Sequence, residues 1–440
     1  MTGNDILKCL GGRQGESLLE SLYGPGALER ERRRYASLVE GMSPFSPAGE
    51  TLRVFSAPGR TELGGNHTDH HRGRVLAASI QMDAVAVVAP RSDRKVFFRS
   101  TGFPDVLVDL NDSDDGLGLS PRPGEEGTTE ALVRGIASQF ASRGVEPGGF
   151  SANASSTVAP GSGLSSSAAV EVLIAKMFDS LFGGGRCGAV ELARISQHAE
   201  NVFFGKPCGL MDQLASACGG AVAIDCADPS APLVQSMAFD PLAAGLALCV
   251  VNTRGSHSDL TPDYAAIPQE MQAVAQCLGK SFLRELSLSQ VLAAAPEIRK
   301  AAGDRALLRA IHFFNEDRRA GEMAKLLENL DADRDAMPRF LDLVNESGDS
   351  SWELLQNLYP PRSPATQGLS LAIAVSRAFF RSHALRAACR VHGGGFAGTV
   401  QTYVPVEALD DYTIQMEELF GQGAVTVLRI RPVGATEHFF

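Results

Sequence analysis

The hydrophobic positions divide the chain into a strand-rich first part, a helical middle and a return to strand near the end. Residues 52–57 predict a strand that Pro58-Gly59 ends; 82–89, strongly apolar, predict a second and 96–98 a third. Residues 128–142 carry Leu132, Val133, Ile136 and Phe140 at helical spacing. A strand over 148–158, a Gly/Ser loop over 160–167 and a nearly all-apolar helix over 168–182 follow. The charges of that helix, Glu171, Lys176 and Asp179, fall within one arc, so the rest of its surface is expected inside. Residues 221–225 and 246–252 predict strands. From 262 to 356 the period is helical, with Leu307, Leu308, Ile311, Leu326, Leu327 and Leu330 at core spacing. Strand patterns return over 400–404 and 425–430. Strands first and helices later make an α+β order, without regular βαβ alternation.

The expected organisation is a helical segment over 1–50, a domain over 51–240 and a domain over 241–440, with the boundary near 230–255. The first segment holds a helix around Glu29 to Val39 with a charged outer face, broken by Ser43-Pro44-Phe45-Ser46-Pro47. Residues 111–127, rich in Asp, Gly, Ser and Pro, predict a surface loop. At 440 residues the chain has room for both domains, and 44% hydrophobic with 21% charged residues is an ordinary globular balance.

The net charge of −11 lacks the electrostatic footprint of a nucleic-acid binder. It leaves room for an anionic ligand, because local amides and cations hold phosphate against a global field. None of the eight Cys forms C-x-x-C, and most lie in apolar stretches such as 247–251, as buried reduced thiols do. The N-terminus shows no charged region followed by an apolar core, and the apolar run 242–251 is too short to span a bilayer. The expectation is a cytoplasmic protein with no membrane or nucleic-acid partner, monomeric or weakly homo-oligomeric.

Four segments carry chemistry. The first runs Ala57-Pro58-Gly59-Arg60-Thr61-Glu62-Leu63-Gly64-Gly65-Asn66-His67-Thr68-Asp69-His70-His71. Packing does not require so many hydrogen-bonding side chains after a strand, whereas a polyol wants a directed donor or acceptor at each hydroxyl. A metallohydrolase string is a rival, but Gly65 stands where its first His belongs, and no second His cluster completes a zinc set. The second segment is Pro160-Gly161-Ser162-Gly163-Leu164-Ser165-Ser166-Ser167-Ala168-Ala169, entering the apolar helix. Its glycines allow close approach and its first-turn amides point outward, a phosphate cradle without the Gly-Lys-Ser/Thr ending of a P-loop. The bland alternative is a plain N-cap by one of the three Ser.

The third segment, Glu200 to Gln213, places Glu200 and Asp212 in a Gly-containing stretch; alone, each reads as a surface charge or cap, and Lys206 as solvated. The fourth, His392-Gly393-Gly394-Gly395-Phe396-Ala397-Gly398, fits G-x-G-x-x-G but leads into a strand, where the dinucleotide fingerprint needs a helix. Such a loop suits close packing against another backbone or a ligand.

In this order and spacing the four segments resemble the galactokinase branch of the GHMP small-molecule kinases, over most of the chain. Leu19-Glu20-Ser21-Leu22-Tyr23-Gly24 and Arg34-Tyr35 resemble that family's N-terminal helix, and Cys208-Gly209-Leu210-Met211-Asp212-Gln213 is close to its own form of the third motif. The resemblance implies an N-terminal domain like ribosomal protein S5, a ferredoxin-like C-terminal domain, and a site between them. It implies ATP, Mg2+ and transfer to the C1 hydroxyl of galactose. By position it puts Arg60, Asn66, His67, Asp69 and Tyr264 around the sugar and makes Asp212 the catalytic carboxylate, paired with Arg60. Gly161, Ser162, Gly163, Leu164, Ser165, Ser166 and Ser167 would hold ATP, and Ser167 and Glu200 the Mg2+.

The chain departs from the pattern in places. Asn66 stands where the family carries Glu, Thr61-Glu62-Leu63-Gly64 replaces a V-N-L-I-like stretch, and His70-His71 replaces Tyr-Asn. Ser256 stands where Arg precedes the family's His, which bears on the placement of Tyr264. Two alternatives follow: a kinase for a galactose relative altered at C6, such as galacturonate, and a non-catalytic sugar sensor. The intact Ser167-Ala168 pair favours an enzyme over the sensor.

Overall fold

The computed structural model describes residues 1–46, 49–111, 119–255, 260–330 and 332–439. The departure noted at Ser256 and residues 112–118 of the loop expected over 111–127 lie outside them. Among the described residues two sheets organise the chain. The larger is built from β1 (Arg53–Gly64), β2 (Arg74–Arg91), β3 (Lys95–Ser100), β4 (Val106–Asp109), β5 (Gly149–Ser156), β6 (Ala221–Asp225) and β7 (Leu233–Met237). The smaller holds β8 (Leu246–Asn252), β9 (Ala388–Val391), β10 (Thr399–Pro405) and β11 (Val425–Leu428), and β12 (Thr436–His438) crosses back to pair with β1. The strand orders are β12-β1-β2-β5-β3-β4, with β6 and β7 continuing from β2, and β11-β8-β10-β9. Pairing is antiparallel except between β3 and β5.

β1 runs straight through Pro58-Gly59, where the sequence predicts its end, because a register shift between Pro58 and Arg60 absorbs the proline. β2 begins at Arg74, eight residues before the predicted 82, as its first half pairs with both β1 and β6. The apolar helix is Ser166–Phe178, closed by a π-helical turn over Asp179–Gly183. Its charged arc is not a solvent face: Glu171 and Asp179 are both fully buried.

The main core lies between the larger sheet and the helices Thr129–Ser142, Ser166–Phe178, Ala189–His198 and Met211–Cys218. Three N-terminal helices, Gly3–Leu10, Arg13–Tyr23 and Leu28–Glu40, pack a second cluster against Val54, Val85 and Val87 on the other sheet face. In the helical middle, Leu327 is buried as expected, while Leu307, Leu308, Ile311, Leu326 and Leu330 are only half-buried. The inward face of Asp304–Glu328 is set instead by Ala306, Ala310, Phe313, Ala320 and Met323, together with buried polar residues. Cys226, Cys249 and Cys389 are buried, Cys277 is exposed, the other four are half-buried, and all eight are free. No helix among the described residues is long and apolar enough to cross a membrane.

Candidate active site

β1 delivers the first functional side chain. Gly59 lets the Leu164 carbonyl come close: a Cβ there would stand 2.7 Å from it, and the Arg60 amide donates to that carbonyl at 3.0 Å. Arg60 is buried and forks onto Asp212, with Nε to Oδ1 at 2.6 Å and Nη2 to Oδ2 at 2.8 Å. Its third nitrogen donates to the Gly163 carbonyl. Asp212 sits in the first turn of Met211–Cys218, where the helix dipole favours an anion. The Ser165 hydroxyl donates to the same carboxylate. Burial pushes the Asp212 carboxyl up, but Arg60 and Ser165 outweigh it and hold it below the usual carboxylate range. With 31% of its side chain accessible, Asp212 is ionised and still open to a ligand.

The Gly/Ser loop curls because Gly161, Gly163 and Ser165 all take left-handed backbone conformations. No side chain caps the helix it enters. The serines that could cap it are engaged elsewhere: Ser165 binds Asp212, and Ser167 Oγ donates to Glu200 Oε1 at 3.3 Å. The first-turn amides and the positive end of the dipole are left for an anion.

Glu200 lies in a π-helical turn, Ala199–Phe204, that continues the helix Ala189–His198. It is buried, so neither Glu200 nor Asp212 is the plain surface charge that each resembles in isolation. Its Oε1 meets Ser167 and also the Lys206 ammonium, at 3.0 Å, so Lys206 is paired rather than merely solvated. Its Oε2 accepts from Gln213 Nε2 at 2.8 Å, and the same nitrogen donates to Glu171 at 3.0 Å. Burial and the charge of Glu200 push the Glu171 carboxyl well up from its ordinary value. A carboxylate oxygen and a hydroxyl, converging where a cation already rests, form a hard-oxygen donor pair that fits Mg2+. Among the described residues no three His, Cys, Asp or Glu converge as a metal cage, so a cation here would draw further ligands from phosphate and water.

The loop after β1 is shaped from below. A Cβ on Gly65 would stand 2.5 Å from the Arg74 carbonyl, and Gly65 and Asn66 both donate backbone amides to Glu316 Oε1, at 3.1 and 3.4 Å. His67 Nε2 lies 3.1 Å from the Gly394 carbonyl. A carbonyl only accepts, so Nε2 carries the hydrogen and Nδ1 is left as an acceptor. Burial, then His70, push His67 down to about 3, so the ring is neutral. Asp69 accepts from the His70 amide at 3.0 Å, and its carboxylate presses on Gly209, where any Cβ would overlap it. The Tyr264 hydroxyl donates to the Gly395 carbonyl at 3.0 Å, and its ring lies against Phe396 at 5.5 Å. Burial pushes the phenol up to about 12.

The glycine loop over 393–395 therefore gathers His67 and Tyr264, while Gly209 ties Asp69 to the stretch leading into Asp212. Asn66 is placed differently. It has no exposed surface; its Nδ2 donates to Glu62 at 3.1 Å and to the Gly393 carbonyl at 2.7 Å, and its Oδ1 accepts from Asn357 at 3.0 Å. Glu62 is in turn paired with the buried Arg390. Glu316, Asn357 and Arg390 escape a reading of the sequence, since nothing local marks a polar residue whose partners lie hundreds of positions away. Glu171 did carry a signal: it is an acid inside an otherwise apolar helix.

Comparisons with known proteins fall on these same segments. The model for the GHMP kinases N terminal domain matches residues 131–220, and that for the galactokinase galactose-binding signature matches residues 45–90. A galactokinase of Streptomyces coelicolor is 32% identical over 405 residues, covering 91% of this chain and 94% of its own. A galactokinase of Homo sapiens is 31% identical over 392 residues, covering 86% and 91%. The structure of Lactococcus lactis galactokinase complexed with galactose superposes with a TM-score of 0.76 at 22% identity, covering 92% of this chain and 99% of that one. A mevalonate kinase structure superposes at 0.57 with 14% identity, covering 86% and 98%. The fold is that of the GHMP kinases, an α+β kinase fold.

Proposed function

The chain belongs to the galactokinase family of GHMP kinases, and we propose on that premise that it transfers the γ-phosphoryl group of ATP to the C1 hydroxyl of galactose. The products are galactose 1-phosphate and ADP. The observation that carries the reading is the Arg60–Asp212 pair, set beside an uncapped helix N-terminus whose first-turn Ser167 meets Glu200 of a neighbouring turn.

Each residue has a part. The backbone over 161–167 cradles the phosphates. Ser167 and Glu200 would hold Mg2+, which would supply charge neutralisation to the phosphates. Asp212, kept ionised by Arg60, orients the C1 hydroxyl and accepts its proton as the new oxygen–phosphorus bond forms and the bond to ADP breaks. Arg60 fixes Asp212 and the loop carbonyl together, so positioning supplies much of the rate. His67 Nδ1, Asp69 and Tyr264 read the sugar hydroxyls. Asn66, saturated by protein partners, supports the loop that carries His67 and Asp69.

A C6-carboxylate substrate is not favoured. That alternative needs an uncharged residue 66 facing C6, whereas Asn66 is buried against the carboxylate of Glu62. The test is a panel of sugars with ATP, followed by ADP release, with 31P NMR to locate the ester. Galactose turning over fastest, with the phosphate on C1, is the expected result; preference for galacturonate or an ester elsewhere overturns it.

A further inference from the structure

Glu200 Oε1 is the point where the site holds a positive charge. Lys206 Nζ lies 3.0 Å from it and Ser167 Oγ 3.3 Å from it, while the other carboxylate oxygen is taken by Gln213. Glu200 is 2% accessible, but the Lys206 side chain is 58% accessible. A buried carboxylate beside a second buried acid is costly without a counter-charge. Lys206 supplies it from the solvent side, on a long stem that can swing away. Gly205, with φ +80, ends the π-helical turn just before it and aims the stem back at Glu200.

We propose that Lys206 is a resident counter-cation of Glu200, occupying the carboxylate oxygen that a divalent cation takes when metal and nucleotide bind. This rests on the reading of Ser167 and Glu200 as the metal seat. Metal binding is then an exchange of one cation for another. Lys206 keeps the seat formed beforehand and competes with the metal for it. The ammonium is displaced rather than deprotonated, so no proton has to leave the site. Lys206 is in this sense a positioning residue that acts through Glu200.

The test measures Mn2+ binding by electron paramagnetic resonance, on full-length protein saturated with a non-hydrolysable ATP analogue. Wild type, Lys206→Met, Lys206→Arg and Glu200→Gln are compared. Removing a half-exposed competing cation should tighten Mn2+ binding about fivefold in Lys206→Met, while Lys206→Arg stays near wild type. Without metal, Lys206→Met should melt below wild type, and saturating Mn2+ should close that gap. Unchanged or weaker Mn2+ binding by Lys206→Met, with binding abolished in Glu200→Gln, overturns the exchange but keeps the seat. Normal binding by Glu200→Gln overturns the seat itself. Should Lys206→Met not fold, a crystal structure of the wild-type protein with Mn2+ and the analogue decides. Mn2+ on Glu200 with Lys206 withdrawn supports the exchange, and Lys206 still on Glu200 beside the metal overturns it.

Discussion

The Asn66 side-chain nitrogen lies 3.1 Å from a carboxylate oxygen of Glu62, four residues earlier in the chain. Glu62 and Asn66 stand where the resembling family carries Asn and Glu, so the two side-chain types are exchanged between touching positions. The carboxylate is not lost from this corner; it has moved one contact away and is neutralised by buried Arg390.

Asn66→Glu alone should therefore place two buried carboxylates in contact and cost about 3 kcal/mol or more, the scale of an uncompensated buried charge. The double change Glu62→Asn with Asn66→Glu should recover much of that loss, as coupled neighbours do. Urea unfolding of the two single variants and the double variant checks this. Strict additivity would mean that the contact carries no energy.

Asp212→Asn keeps the shape and removes the proton acceptor, so kcat should fall about 10²-fold or more with ATP binding retained. Arg60 and Ser165 hold Asp212 low against burial. Because the ionised form is the working one, the acid limb of the wild-type pH–rate profile should lie below 3.8, limited in practice by unfolding. Arg60→Met leaves only Ser165 and Lys206 to oppose burial and should move that limb upward. A limb that stays in place would detach Asp212 from the rate.

Glu200→Gln and Ser167→Ala should each raise the Mg2+ requirement about tenfold or more, with galactose affinity by calorimetry little changed. Collapse of sugar affinity at unaltered Mg2+ dependence would place these residues on the sugar instead.

Asp83, fully buried, binds Arg431 at 2.6 Å, Arg34 at 2.8 Å and the Tyr23 hydroxyl at 2.6 Å, which pins the N-terminal helices and the C-terminal segment to β2. Burial raises its pKa, but the two guanidinium groups outweigh it and leave it lowered. A lowered carboxyl stabilises the fold above its unfolded value of 3.8, and that stability is lost as pH falls through the folded one. Asp83→Asn should cost about 3–5 kcal/mol at neutral pH. The gap to wild type in urea midpoints should narrow as the pH drops below 3.8.

The sequence alone determined what depends on neighbours along the chain. Alternating and helical spacing marked most strands and helices, because burial on one face leaves a period of two or near 3.6. Gly161 and Gly163 with the following serines marked the tight loop into the helix, since a left-handed turn into a helix has few residue choices. Only the tertiary structure decided what depends on partners far away. β1 continues through Pro58-Gly59 because β2 and the Leu164 carbonyl meet it there. Glu171 points inward because the Gln213 amide, 42 residues on, donates to it. Asn66 turns away from solvent because the Gly393 carbonyl, 327 residues on, accepts from its side-chain amide. A side chain's charge and shape are local properties; whether it ends as surface, support or ligand is set by the groups that folding brings to it.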